Sequence, residues 1–98
     1  MRESEFQASL IRELKSRFPG CIVLKNDANY IQGFPDLLLL VEDKWFALEV
    51  KATRRSAVQP NQEYYIDTLD QMSFATFIYP DNKEEVIHEI QQSLRARR

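Results

Sequence analysis

Residues 33–55 read GFPDLLLLVEDKWFALEVKATRR, and this stretch constrains the fold more than any other. Two apolar runs, PDLLLLV and WFALEVK, flank the turn-forming EDK, a pattern that predicts an antiparallel hairpin. Four consecutive leucines imply a strand covered on both faces, and so a central place in a sheet. Acidic residues interrupt this pattern where a core would not choose them. Asp36 opens the first run, and Glu49 and Lys51 sit at the end of the second. Strand residues alternate between faces, so Glu49 and Lys51 point one way and Phe46, Leu48 and Val50 the other. A hairpin whose connection is Val41 to Lys44 sets Leu40 against Trp45 and brings Asp36 opposite Glu49. Cross-strand β carbons on one face lie about 5 Å apart. Two carboxylates that close repel one another unless a cation lies between them. A hard divalent ion with oxygen ligands meets that need, and Lys51 on the same face would address an anion such as a phosphate. An odd register without a bulge would separate the acids and remove the site. The bland alternative is a strand-start aspartate with a solvated Glu-Lys pair on an exposed sheet face.

The remaining segments supply elements to pack on this hairpin. Residues 3–18 carry Phe6, Leu10, Leu14 and Phe18 at helical spacing, ended by Pro19-Gly20. CIVLKND reads as a short strand, and the polar ANYIQGF connects it to the hairpin. Beyond the loop ATRRSAVQPN, Pro60 suits the first turn of a helix with Tyr65, Ile66, Leu69 and Met72 on one side. FATFIY is a further strand, and KEEVIHEIQQSLRAR a closing amphipathic helix through Val86, Ile87, Ile90 and Leu94. The order α-β-β-β-α-β-α predicts an α/β domain of two or three layers around a mixed sheet. With 98 residues, one domain covering residues 1–98 is expected, and a chain this small gains from association into a dimer.

Composition narrows the function classes. No run approaches the roughly 18 apolar residues needed to cross a bilayer, so no membrane partner is expected. MRESEFQASL lacks the apolar centre of a signal peptide, and Cys21 is the single cysteine, so a reducing, cytoplasmic location is expected. The net charge of −2 is not that of a strongly basic nucleic-acid binder. Basic residues are nevertheless clustered, with Arg54 and Arg55 after Lys51 and with Arg95, Arg97 and Arg98 at the end. The latter group also suits a helix C-terminus. His88 has no partner for a zinc site, Cys21 reads as a core thiol, and two glycines make no phosphate loop. Asn26 and Asp27 sit before the GFPD turn, where a polar residue could contact substrate, though as ordinary loop formers they need no such role. Tyr30 and Phe34 have the rings to stack on a base, though a packing role is the simpler expectation.

The GFPD of residues 33–36, followed thirteen residues on by the EVK of residues 49–51, resembles the signature of the PD-(D/E)xK nuclease superfamily. Within it the chain is most similar to the virus-type replication-repair nuclease (VRR-NUC) domain, whose organisation is like that of Holliday-junction resolvases. The likeness runs from the first helix to about Gln62. It includes Glu3 with Gln7 one turn later, and Pro60 with Gln62 after the lysine strand. The resemblance implies a restriction-endonuclease-like core and a DNA endonuclease dependent on Mg²⁺, with Mn²⁺ as a substitute. Asp36, Glu49 and the Val50 carbonyl would ligate the metal, with Glu3 touching it directly or through water. Lys51 would orient the attacking water or stabilise the phosphate, and Gln62 would position these groups. It further implies branched or junction DNA as substrate and a homodimer with two active sites. Periodicity independently prefers Glu3 over Glu5, because Glu3 leads into the face of Phe6 and Leu10 while Glu5 sides with Ser9 and Arg12. A non-catalytic nucleic-acid-binding module of the same fold is the alternative, and a structural partner domain a third.

Overall fold

The computed structural model describes residues 1–96. Its elements are helix α1 (Glu3–Arg17), strands β1 (Ile22–Lys25), β2 (Leu37–Val41) and β3 (Lys44–Val50), helix α2 (Pro60–Met72), strand β4 (Ala75–Ile78) and helix α3 (Lys83–Arg95). The order is the α-β-β-β-α-β-α read from the sequence. The sheet order is β1-β2-β3-β4. β1, β2 and β3 are antiparallel neighbours, whereas β4 runs parallel to β3. That parallel pairing follows from α2, which carries the chain back over the sheet as a crossover between them.

The expected register is present: Leu40 pairs with Trp45, and Val41 with Lys44. The hairpin closes on only two residues, Glu42 and Asp43, tighter than the four-residue connection expected. Glu42 adopts φ 57°, in the left-handed region that two-residue hairpin turns require of a central residue.

Alternation then sorts the side chains into three layers. Phe46, Leu48 and Val50 face α1 and α3, joining Leu10, Leu14, Ile87 and Ile90 in the main core. Ala47 faces α2, with Ile66 and Leu69, and Trp45, Leu38 and Phe77 pack around them. α3 buries the four residues its periodicity marked, Val86, Ile87, Ile90 and Leu94. Glu13 of α1 binds Lys83 of α3 at 2.7 Å, and that ion pair holds Glu13's carboxyl below its usual pKa, mainly through the hydrogen bond from Lys83.

Two sequence expectations are corrected. β2 is interior, yet only Leu37, Leu39 and Val41 are buried, and Leu38 and Leu40 are half-covered. β3, flanked on both sides and covered by α2, is the strand buried on both faces. Met72, placed on the packed side of α2 by spacing, is 68% exposed. It is the last residue of the helix, past the point where Leu69 meets the sheet. Among the described residues no helix is long and apolar enough to cross a membrane. Arg97 and Arg98 lie outside the described residues.

Candidate metal and phosphate site

The site is built where β2 begins, β3 ends and α2 begins. Leu37 pairs with Leu48, so the same register continued by one residue sets Asp36 opposite Glu49. The carboxylates are fixed by each other's strand. Val50 N–H donates to Asp36 Oδ2 at 3.0 Å, and Asp36 N–H donates to Glu49 Oε1 at 3.2 Å. A further residue along, Pro35 comes opposite Val50. Odd-numbered β3 residues bond toward β4, as the Ala47 and Lys51 amides do, so Val50 directs its backbone groups toward β2. Pro35 has no N–H to give the Val50 carbonyl, and Asp36 supplies the acceptor for the Val50 amide that the ladder would have provided. The Pro-Asp dipeptide thus ends the ladder and leaves its last groups to the site.

Burying these charges is unfavourable, and the packing on the other face is what holds them there. Leu48 and Val50 are fully buried, and each contributes roughly 2 kcal/mol by that burial. Glu49 between them is 4% exposed and Lys51 8% exposed. Burial first, then repulsion from Asp36, pushes Glu49 up to about 7. Asp36 is raised too, chiefly by burial, against the opposing pull of the Val50 amide and of Lys51.

Lys51 reaches three acceptors. Its Nζ donates to the Ala57 carbonyl at 2.8 Å and to Gln62 Oε1 at 2.9 Å, and lies 3.7 Å from Glu49 Oε2. Gln62 completes the circuit by donating from Nε2 to Glu49 Oε2 at 2.8 Å. Its Oε1 also accepts the Gln59 amide hydrogen at 3.0 Å, so the residue that bridges acid and lysine also caps the helix carrying it. That double duty was legible only in part: Gln59 and Gln62 stand three apart around Pro60, but their contact with Glu49 is long-range.

Gly33 and Asn61 are a pair that sequence reasoning missed. Gly33 has φ +89°, and a Cβ there would lie 2.5 Å from Asn61 Cγ. The GFPD turn and the first turn of α2 therefore meet backbone to side chain, one residue from Gln62. Nothing local in the sequence signals that approach.

Asp36, Glu49, Lys51, Gln62 and the Val50 backbone come together. Glu3 does not join them as a close third acid. It is an exposed first-turn residue whose charge reaches Glu49 only as the weakest of the influences raising it. Among the described residues no three acidic, histidine or cysteine side chains converge as a metal-binding group. Glu5 is occupied in capping α1, where its Oε1 accepts the Arg2 amide hydrogen at 2.9 Å. Arg54 and Arg55 line a separate cleft with Thr53 and Asp81, and Arg54 pairs with Asp81 at 3.7 Å. His88 contacts Gln92 on the exposed side of α3. Cys21 is half-buried against the core, and burial pushes its thiol up, which lowers its share of reactive thiolate.

No family model, curated protein or solved structure matches the chain.

Proposed function

We propose that this chain is a metal-dependent DNA endonuclease that hydrolyses phosphodiester bonds, with Holliday junctions or other branched DNA as its substrate. The observation that carries the reading is the Asp36–Glu49 pair, a half-buried and a buried carboxylate on one sheet face with Lys51 beside them. The donor set suits a hard divalent cation: two carboxylates and the Val50 carbonyl are all oxygen ligands. Both acids are held above their ordinary pKa, an unfavourable state that a cation relieves. Mg²⁺ fits this set best, with Mn²⁺ as a substitute. Such an ion supplies acidification of a water and compensation of the charge growing on the phosphate.

The chain's own residues account for the rest. Asp36 and Glu49 cannot drift, because each is tied to the partner strand's backbone. Lys51 presents its ammonium group from a fixed position set by Ala57 and Gln62. There it steadies the attacking water or a phosphate oxygen. The water oxygen bonds to phosphorus as the bond to the leaving sugar oxygen breaks on the opposite side. Glu3, at the start of α1, would touch the metal directly or through an intervening water. The reading places the protein inside the cell with DNA. It also implies a homodimer, because symmetric cutting of a four-way junction needs two sites.

Incubation with supercoiled plasmid and with a synthetic four-way junction tests this, in Mg²⁺, Mn²⁺ or EDTA. The proposal expects metal-dependent cutting that Asp36→Ala and Lys51→Ala abolish. Binding without cutting under either metal would leave a nucleic-acid-binding module instead.

A further inference from the structure

The loop that leads into Asp36 encloses a cleft of its own. The segment 26–36 between β1 and β2 forms a cleft of about 400 Å³ lined by Asn26, Asp27, Tyr30, Ile31 and Phe34. It is joined directly to the site: Asn26 N–H donates to the Asp36 carbonyl at 2.8 Å, and Asn26 Nδ2 to the Pro35 carbonyl at 2.6 Å. Internal bonds shape the loop, with the Tyr30 amide on the Asp27 carbonyl at 3.0 Å and the Asn29 amide on Asp27 Oδ1 at 2.8 Å. Phe34 is braced edge-on by Tyr65 of α2, ring centres 5.4 Å apart. Tyr30, in contrast, is 84% exposed, the most exposed large apolar side chain among the described residues.

We infer that this cleft takes one unpaired nucleobase of the substrate, next to the phosphate that Asp36 and Glu49 would hold through a divalent cation. The inference rests on the nuclease reading for its choice of ligand. A ring as exposed as Tyr30 gains by covering its face with another flat ring, and base–aromatic stacking is worth about 1–3 kcal/mol per base. Asp27 decides which part of a nucleotide enters. Its negative charge repels phosphate, while its second carboxylate oxygen remains able to accept N–H groups. Guanine offers two such donors side by side on its Watson–Crick edge, and that edge is reachable only when the base is unpaired. The cleft therefore selects flaps, ends or other branched DNA with a free base at the cut over continuous duplex.

The test uses the full chain with Ca²⁺ in place of Mg²⁺, so that a divalent ion is present and binding is read without cleavage. A flap DNA carrying 2-aminopurine at the first unpaired position is titrated with protein, beside a continuous duplex with the same label. The expected result is quenching of the unpaired label and none of the duplex. Tyr30→Ala should abolish the quenching and weaken flap binding roughly five- to hundred-fold, and Tyr30→Phe should retain both. Replacing the flap base by guanine should tighten binding over thymine, and Asp27→Asn should erase that difference. Equal binding by Tyr30→Ala and the parent, equal quenching of flap and duplex, or no DNA binding at all would overturn the inference. Quenching that depends on Tyr30 in a protein that cuts nothing would uphold the cleft and defeat the nuclease reading. Asp36-dependent cutting with Tyr30→Ala unaffected would do the reverse.

Discussion

Gln62 of helix α2 donates a hydrogen bond of 2.8 Å to Glu49 of strand β3. This bond joins the helix start to the sheet and positions the acid. Through its other amide atom Gln62 also receives Lys51 and the Gln59 amide. Gln62→Ala should therefore lower stability by about 1–3 kcal/mol, since it takes one hydrogen bond each from the buried Glu49 and Lys51. Urea denaturation would measure it. A loss below a few tenths of a kcal/mol would show that water replaces the amide.

Stability should fall as pH rises. Glu49 titrates near 7 in the folded chain against 4.5 as its ordinary value, and Asp36 is raised as well. The folded protein thus binds more protons than the unfolded chain between those values. The stabilisation is complete below the unfolded pKa and is lost as pH passes through the folded one. The contribution of Glu49 is on the order of 3 kcal/mol, so denaturation in EDTA should show a weaker fold at about pH 8 than at about pH 5. Glu49→Gln should flatten that slope and stabilise the metal-free protein at the higher pH.

Gly33 and Gly20 both adopt positive φ, but only Gly33 has a neighbour in the way. Gly20→Ala should cost about 1 kcal/mol for its backbone alone. Gly33→Ala adds displacement of Asn61 and should cost at least about 1 kcal/mol more. Thermal melts of the two variants, with Gly33→Ala/Asn61→Gly as a third, separate strain from crowding: the third should recover the difference.

Glu42 holds the hairpin turn in the left-handed region without being glycine or asparagine. Glu42→Asn should raise stability by up to about 1 kcal/mol, measured by the same melts. An unchanged or lower melting temperature would mean that contacts of the native side chain outweigh the backbone strain.

The fold and most of the site were readable because they rest on period and turn chemistry. The two-residue alternation through β3 put Glu49 and Lys51 on one face and Leu48 and Val50 on the other, and the register followed from where Leu40 meets Trp45. What was not readable depends on how far one element extends over another. The burial of β3 beyond β2, the exposure of Met72 and the contact of Gly33 with Asn61 all follow from where α2 lies on the sheet. No local pattern encodes that position. Glu3 illustrates the same limit: spacing gives its helical face, whereas the reach of its charge to Glu49 depends on how α1 packs on the sheet.

Calorimetric titration of the chain with Mn²⁺ or Mg²⁺ near neutral pH tests the central claim most directly. The account predicts one site per chain, with protons released as Glu49 ionises. That site should vanish in Asp36→Asn and in Glu49→Gln and persist in Tyr30→Ala. Failure of the parent to bind either ion, or binding that survives both acid substitutions, would contradict it.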